Sequence, residues 1–524
     1  MKESLPKGKF SWLTILVMFV IFAAIYFPSF FVFKGTLFIE NKDVLLDFYM
    51  VENMLESKAV NLLGRTSMIP DYAYSPLYHL IIIPVFILAD NPILGLAYFF
   101  VAINFLSMML LFYLAKKFFD TKVAVIALIL YGFSRFTIYS CLHLWAPNLL
   151  PLLSLAVLFF LFSLIIKRKD SFLVGLLGAL SISLQIHLTG YLIVFYTIVI
   201  LLIYRPKIRY RFWFLGIALF FILYLPKILQ ELDRDGLSYK ALFSYLSQGG
   251  HEFKILDYGK RAVLFFQTIM NDLVLWKSRA MNILLLLFML FGGIDLGVKV
   301  FKKKERLDKK YIILTVIFIS VMLAFILTVK PAKFAGHELF FFRPILFLSI
   351  SVLLMKLSSK YLRYAGFFMV ALYMLISFVG LASSDESLSA EISLNKRLKV
   401  VDLIIKEAQD KPLKIMVMAK GDDLTIKAGL YAYLFKNKVK KLKHNLKTQE
   451  EVFDFIYVIL EGTDSFPLED EIYNDQGSLK IFKISKEEWE KESLLKKNNS
   501  HYIEVLSSKE QIELILKTYL PQDL

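Results

Sequence analysis

From Trp12 onward the chain alternates long apolar runs with short polar breaks, the pattern of membrane crossings and not of half-exposed surface helices. Apolar runs near 11–33, 92–115, 123–140, 149–166, 171–186, 188–204, 212–226, 281–298, 311–329, 340–356 and 364–382 give about 11 spans, most near the roughly 20 residues a bilayer demands. Two of them, 171–186 and 212–226, are short. Residues 76–90, PLYHLIIIPVFILAD, are too few to cross with comfort and read as a helix lying along the outer interface. From about Ser383 the pattern becomes that of a soluble domain: LKIMVMA, FIYVILE and SLKIFKI read as short buried strands, and IKAGLYAYLFK as a helix between them. The predicted architecture is a polytopic α-helical membrane domain over 1–382, with an outer loop at 34–91, then a small α/β domain over 383–524 on the outer face.

Composition agrees: 57% of the 524 residues are hydrophobic, 49 are Phe, and mean hydropathy is +0.60. The net charge of +16 does not point to nucleic acid. Its lysines and arginines cluster between apolar runs, at Lys116-Lys117, Lys167-Arg168-Lys169, Arg205 to Arg211, Lys299 to Lys310 and Lys356 to Arg363, as cytoplasmic topology determinants do. They predict a multi-pass plasma-membrane protein with its N-terminus inside and its C-terminal domain outside. The single cysteine, Cys141, excludes an internal disulfide framework and any cysteine-based metal cluster. The run after Lys2, Lys7 and Lys9 is long for a secretory signal and lacks a small-x-small cleavage site, so it reads as a retained first helix.

Within this apolar background a few polar groups stand out. NKDVLLDFYMVENML, 41–55, carries Asp43 and Asp47 immediately beyond the first span. If 43–55 is helical, Val44, Phe48, Val51 and Leu55 line one face and the two acids share a neighbouring one, turned toward a cavity or water. SCLHLWAPNLLP, 140–151, lies in the outer loop between the third and fourth spans, and SLQIHLTGY, 183–191, where the fifth turns into the sixth. Helical rise puts Gln185 and His187 roughly 21 Å along from Phe172, near the outer end and close to the level of the acids. Polar groups at that depth are costly unless partnered, which makes them candidates for function.

Taken in order these stretches resemble the GT-C glycosyltransferases, and among them the protein O-mannosyltransferases and aminoarabinose transferases with their bacterial family 39-like relatives. The corresponding residues are Asp43-Val-Leu-Leu-Asp47, Leu63-Gly64, Ser75-Pro76-Leu77-Tyr78-His79, Trp145-Ala146-Pro147-Asn148-Leu149-Leu150-Pro151 and Gln185-Ile186-His187-Leu188-Thr189. Ser75 stands where the relatives have Gly or His, and Ala146 where they have Asn. The resemblance implies transfer of a sugar from a polyprenyl-phosphate or diphosphate carrier to an acceptor on the outer face. It assigns Asp43 as the base, with Asp47 orienting the acceptor or holding a metal, the two roles being exchangeable. Tyr78, His79, Trp145, Asn148, Gln185 and His187 then line the substrate pocket. The leaving phosphate needs cations, which Lys330, Lys333, His337 and Arg343 of KPAKFAGHELFFFRP supply. A divalent cation such as Mg or Mn could sit on Asp43 and Asp47 only with further ligands, so the metal and cofactor assignment stays open. The residues name neither the sugar nor the acceptor, which could be protein, lipid or glycan.

Other patterns carry less. Asp233-Arg234-Asp235 has the form of a nucleotide-sugar metal motif but falls in a predicted outer segment, 227–280, away from cytosolic donors. Gly421-Asp422-Asp423 reads as a turn, and Asn498-Asn499-Ser500 is a short acceptor triplet. The alternative to an enzyme is a transporter or flippase of lipid-linked saccharides; repeated halves and midplane acids would favour it, and neither is found here.

Overall fold

The computed structural model describes residues 42–60, 62, 64–65, 67, 69, 71–134, 137, 144–248, 255–273, 292–294, 308–328, 339–357, 359–382, 394–408, 413–419, 455–461, 471–474, 479–485 and 502–504. The span expected at 11–33, all of that expected at 281–298 but residues 292–294, and the helix expected at IKAGLYAYLFK lie outside them. The described residues fall into two compact units, one within 60–384 and the other comprising helix α1 (Lys42–Ser57) and the elements after 385.

The first unit is helical: α2 (Leu77–Leu88), α3 (Pro92–Phe118), α4 (Thr121–Gly132), α5 (Leu150–Ile165, preceded by a 3-10 turn at Ala146–Leu149), α6 (Phe172–Ile186), α7 (Gly190–Tyr204), α8 (Tyr210–Asp233), α9 (Leu237–Gln248), α10 (Ile255–Leu273), α11 (Lys309–Thr328), α12 (Arg343–Lys356) and α13 (Lys360–Ala382). Among the described residues four stretches, 92–118, 146–165, 210–233 and 309–326, are long and apolar enough to cross a membrane. Local chemistry sets the ends. Asn91 accepts from the backbone N–H groups of Ile93 and Leu94 with Pro92 in the first turn, and Lys116-Lys117 occupy the last turn of α3. Asp120 caps α4 by accepting from Val123 N. Inside the apolar helices, hydroxyls donate to the carbonyl one turn back, as Ser107 does to Ile103, Thr197 to Ile193 and Ser351 to Phe347. No hydroxyl among these is left to lipid.

Helix α5 is the centre of the packing: most of its residues are buried, and it contacts α3, α6, α7 and α12. Helix α8 is the opposite case, with 17% buried and Phe214, Phe221, Ile222 and Leu225 exposed along its length. A helix so apolar and so uncovered has lipid as its surroundings.

Two boundaries differ from expectation. The chain was expected to leave its span at residue 226, but α8 continues through Pro226 to Asp233. The side chains of Lys227, Gln230 and Glu231 are satisfied inside the protein, so the polar turn stays helical. Within the span expected over 123–140, α4 ends at Gly132, Ser134 lies outside a helix, and Thr137 is helical again.

In the second unit the three predicted apolar runs form β1 (Leu413–Ala419), β2 (Phe455–Glu461) and β4 (Leu479–Ser485), joined by β3 (Glu471–Asn474) and β5 (Tyr502–Glu504) in the order β3-β4-β2-β1-β5. Only β1 and β2 pair in parallel, Leu413 opposite Phe455 through Ala419 opposite Glu461. Helix α14 (Leu394–Ala408) buries Val400, Val401 and Ile404 on one face.

Candidate functional site

The polar residues of the first unit meet where α6 ends and α7, α2 and α9 begin. Gln185 closes α6, and three hydrogen bonds hold its amide: Nε2 donates to Ser181 O (3.2 Å) and Leu223 O (2.8 Å), while Oε1 accepts from Ser75 Oγ (2.7 Å). The same Ser75 Oγ accepts from Leu77 N at 3.2 Å, in the first turn of α2. One serine thus ties the start of α2 to the end of α6, in the position where the resembling family has Gly or His. His187 leaves the helix with extended backbone, its Nδ1 3.0 Å from Thr189 Oγ1. Its ring stacks on Tyr74 at 5.6 Å and 14°, and Trp145 meets it edge-on at 6.4 Å. Arg65 lies over the other partner, 5.3 Å from the Tyr74 ring centre.

Two glycines make this closeness feasible. A Cβ on Gly64 would strike the Tyr74 carbonyl, and one on Gly190 the Ser183 carbonyl; both are backbone atoms that cannot turn aside. Gly64 and Gly190, the glycine after Gln185-x-His187-Leu188-Thr189, are therefore packing requirements.

A clamp that the sequence reading missed holds residues 71–75 from the other side. Lys227, 2% exposed, donates to Ala73 O (2.6 Å) and Gln230 Oε1 (3.1 Å) and pairs with Glu231 Oε1 (2.7 Å). Its three ammonium hydrogens thus have three acceptors. Gln230 Nε2 donates to Tyr74 O at 2.9 Å, and Glu231 Oε2 accepts from Ser238 N at 3.1 Å. Ser238 Oγ accepts from Ala73 N (3.3 Å) and Arg234 Nη1 (3.3 Å), while Arg234 Nη2 donates to Asp71 O (3.3 Å). The Lys227 ammonium also lies 5.1 Å from the Tyr72 ring centre. Burial, with Tyr191 next, pushes the Tyr72 phenol far above the ordinary tyrosine range, so it stays protonated. Asp233-Arg234-Asp235 is the turn from α8 into α9, with Asp235 and Gly236 at φ 50° and 72°.

Of the other predicted residues, Tyr78 and His79 lie in the first turn of α2, both buried, with ring centres 5.8 Å apart. Asn148 is buried in the 3-10 turn that packs on α3, α5 and α6. Arg343 opens α12, also buried, with its guanidinium 4.4 Å from the Phe340 ring centre. Lys330, Lys333 and His337 lie outside the described residues. Asp43 and Asp47 belong to α1, in the second unit, one helical turn apart. Asp47 is 1% exposed and flanked by fully buried Val44, Phe48 and Val51, so of the two surroundings expected for it open water is excluded. Among the described residues no three His, Cys, Asp or Glu side chains gather as a metal site.

This helical fold has solved counterparts. The crystal structure of ArnT from Cupriavidus metallidurans in the apo state shares it, with TM-score 0.53 and 12% identity over 90% of this chain and 98% of that one. The same protein bound to undecaprenyl phosphate gives 0.52 and 12% over 90% and 97%. The oligosaccharyltransferase of Archaeoglobus fulgidus in the apo form gives 0.48 and 12% over 88% and 62%. No family model matches the chain, and no curated protein matches it in sequence. The chain is a multi-pass membrane protein of GT-C fold.

Proposed function

We propose that this protein is a glycosyltransferase that moves a sugar from a polyprenyl-phosphate-type donor to an acceptor on the outer membrane face. The observation that carries the reading is the assembly of Ser75, Tyr74, Trp145, Gln185 and His187, drawn from three distant motifs, at one end of a GT-C fold. That an undecaprenyl-phosphate complex has the same fold supports the class of donor.

The acceptor hydroxyl attacks the anomeric carbon, the bond from that carbon to the phosphate oxygen breaks, and the hydroxyl proton passes to a carboxylate. Inversion needs one such base opposite the leaving group, the role of Asp43, with Asp47 orienting the acceptor; the reverse assignment is chemically equivalent. Arg343, with Lys330, Lys333 and His337, neutralises the departing phosphate. Tyr78, His79, Trp145, Asn148, Gln185 and His187 hold sugar and acceptor. A divalent cation, if used, would take Asp43 and Asp47 as ligands. The N-terminus is cytoplasmic, and the α/β domain is outside, where it guides the acceptor.

Purified protein in detergent, given a polyprenyl-linked sugar and candidate acceptors, tests this with no membrane barrier present. Product that disappears in Asp43→Asn supports the enzyme. Turnover unchanged in both Asp43→Asn and Asp47→Asn rules out the assignment of the acids.

A further inference from the structure

Where α3 and α5 finish, at the end of the unit away from Gln185, two lysines from different helices converge over one aromatic floor. Lys117 Nζ donates to Tyr113 Oη at 2.6 Å and lies 4.6 Å from the Tyr113 ring centre and 4.7 Å from that of Phe159. Lys167, just beyond α5, lies 5.3 Å from the Phe118 ring centre. Phe118 in turn meets Phe162 edge-on at 5.0 Å and Phe159 at 6.3 Å. The rings hold both stems in place and leave both ammonium groups partly exposed.

Both ammonium groups lie over the Phe118 ring, 6.0 Å and 5.3 Å from its centre, close enough to oppose each other. Burial first, then Lys117 and Lys169, draws Lys167 below the ordinary lysine range. The neighbouring acids are engaged elsewhere: Asp120 caps α4, Asp170 binds Arg209 at 2.9 Å, and Asp308 pairs with Lys310 at 3.2 Å. Among the described residues no carboxylate pairs with either ammonium, and two like charges held together favour an anion whose oxygens reach both, as a phosphate's do. Lys117 also ends the 27-residue apolar helix α3, at the depth of lipid headgroups. Lys310 and Lys356 extend the cationic rim around Tyr311, each about 5.4 Å from its ring centre.

We propose that Lys117 and Lys167 form a binding site for the phosphate of an anionic membrane phospholipid, independent of the transfer chemistry. The test is thermal unfolding of the delipidated full-length protein in neutral detergent, with phosphatidylglycerol, phosphatidylcholine or inorganic phosphate added. Phosphatidylglycerol should raise the Tm of the native protein and of Lys117→Arg, and leave Lys117→Gln and Lys167→Gln unmoved. Without anionic lipid, Lys167→Gln should unfold at the native temperature or above it, because a repulsion has gone. Equal stabilisation of all four proteins by phosphatidylglycerol overturns the site. So does inorganic phosphate acting as well as the lipid, or a Gln variant that is less stable without lipid.

Discussion

At the Gln185 end of the first unit, Lys227 is buried and each hydrogen of its ammonium meets Ala73, Gln230 or Glu231. At the other end, Lys117 and Lys167 rest on aromatic rings, and among the described residues no carboxylate pairs with either. Both are lysines beside apolar helices, yet they do different work. A buried cation whose donors are all used fixes a shape, and here the shape is the backbone of residues 71–75, which carries Tyr74 and Ser75 to His187 and Gln185. A cation propped on rings at the membrane boundary keeps its charge available to a ligand that arrives from outside.

The contrast is broken most forcefully by Lys227→Met, which strands the Glu231 carboxylate in the interior. It should cost about 3–5 kcal/mol in reversible unfolding in detergent, and Lys227→Met with Glu231→Leu should recover most of that. A single variant as stable as the native protein would mean that the clamp carries no strain. Lys117→Gln, by contrast, should be near neutral in neutral detergent. Next comes Gly64→Ala, whose methyl group must displace the Tyr74 carbonyl; a loss of about 1–3 kcal/mol is expected. Gly259→Ala, in open space on α10, should instead gain about 0.5–1 kcal/mol, so the pair separates packing from helix propensity. Ser75→Ala leaves Gln185 Oε1 without its short bond and should cost about 1–2 kcal/mol by the same measurement.

The smallest effect belongs to Asp170. Hydrogen bonds from the Arg209 guanidinium and backbone hold its carboxyl below the usual range. A carboxyl lowered in the folded state adds stability above its unfolded value, lost as pH falls through the folded one. Unfolding followed from neutral pH to below that range should show a slight extra loss in the native protein that is absent in Asp170→Asn.

Much of the helical unit was legible because lipid demands unbroken apolar runs, and α3, α5, α6, α7, α11, α12 and α13 lie close to where those runs are. The outer end of α8 was not. Lys227, Gln230 and Glu231 look like loop residues in the sequence, but Lys227 and Gln230 have partners in a segment about 155 residues earlier, and Glu231 has Lys227 and Ser238. The spacing of Lys227 and Glu231, four apart directly after Pro226, was the one local sign of it. Within the site, the Ser75–Gln185 bond joins residues 110 apart, a pairing that periodicity cannot carry. The ordered motifs named segments that meet in the fold without giving the contacts between them. The acids of α1 were visible as charges in an apolar stretch, whereas the burial of Asp47 depends on packing that the stretch alone does not encode.

The proposed transfer on the outer face is tested by which side of the membrane reaches the acid-bearing helix. In a Cys141→Ser background, a single cysteine at exposed Ser57, beside the acids, or at exposed Lys169, at the basic end, can be probed with an impermeant maleimide in intact cells. The prediction is labelling of Ser57→Cys from outside, and of Lys169→Cys only after permeabilisation. Labelling of Ser57→Cys from the cytosolic side alone would contradict transfer on the outer face.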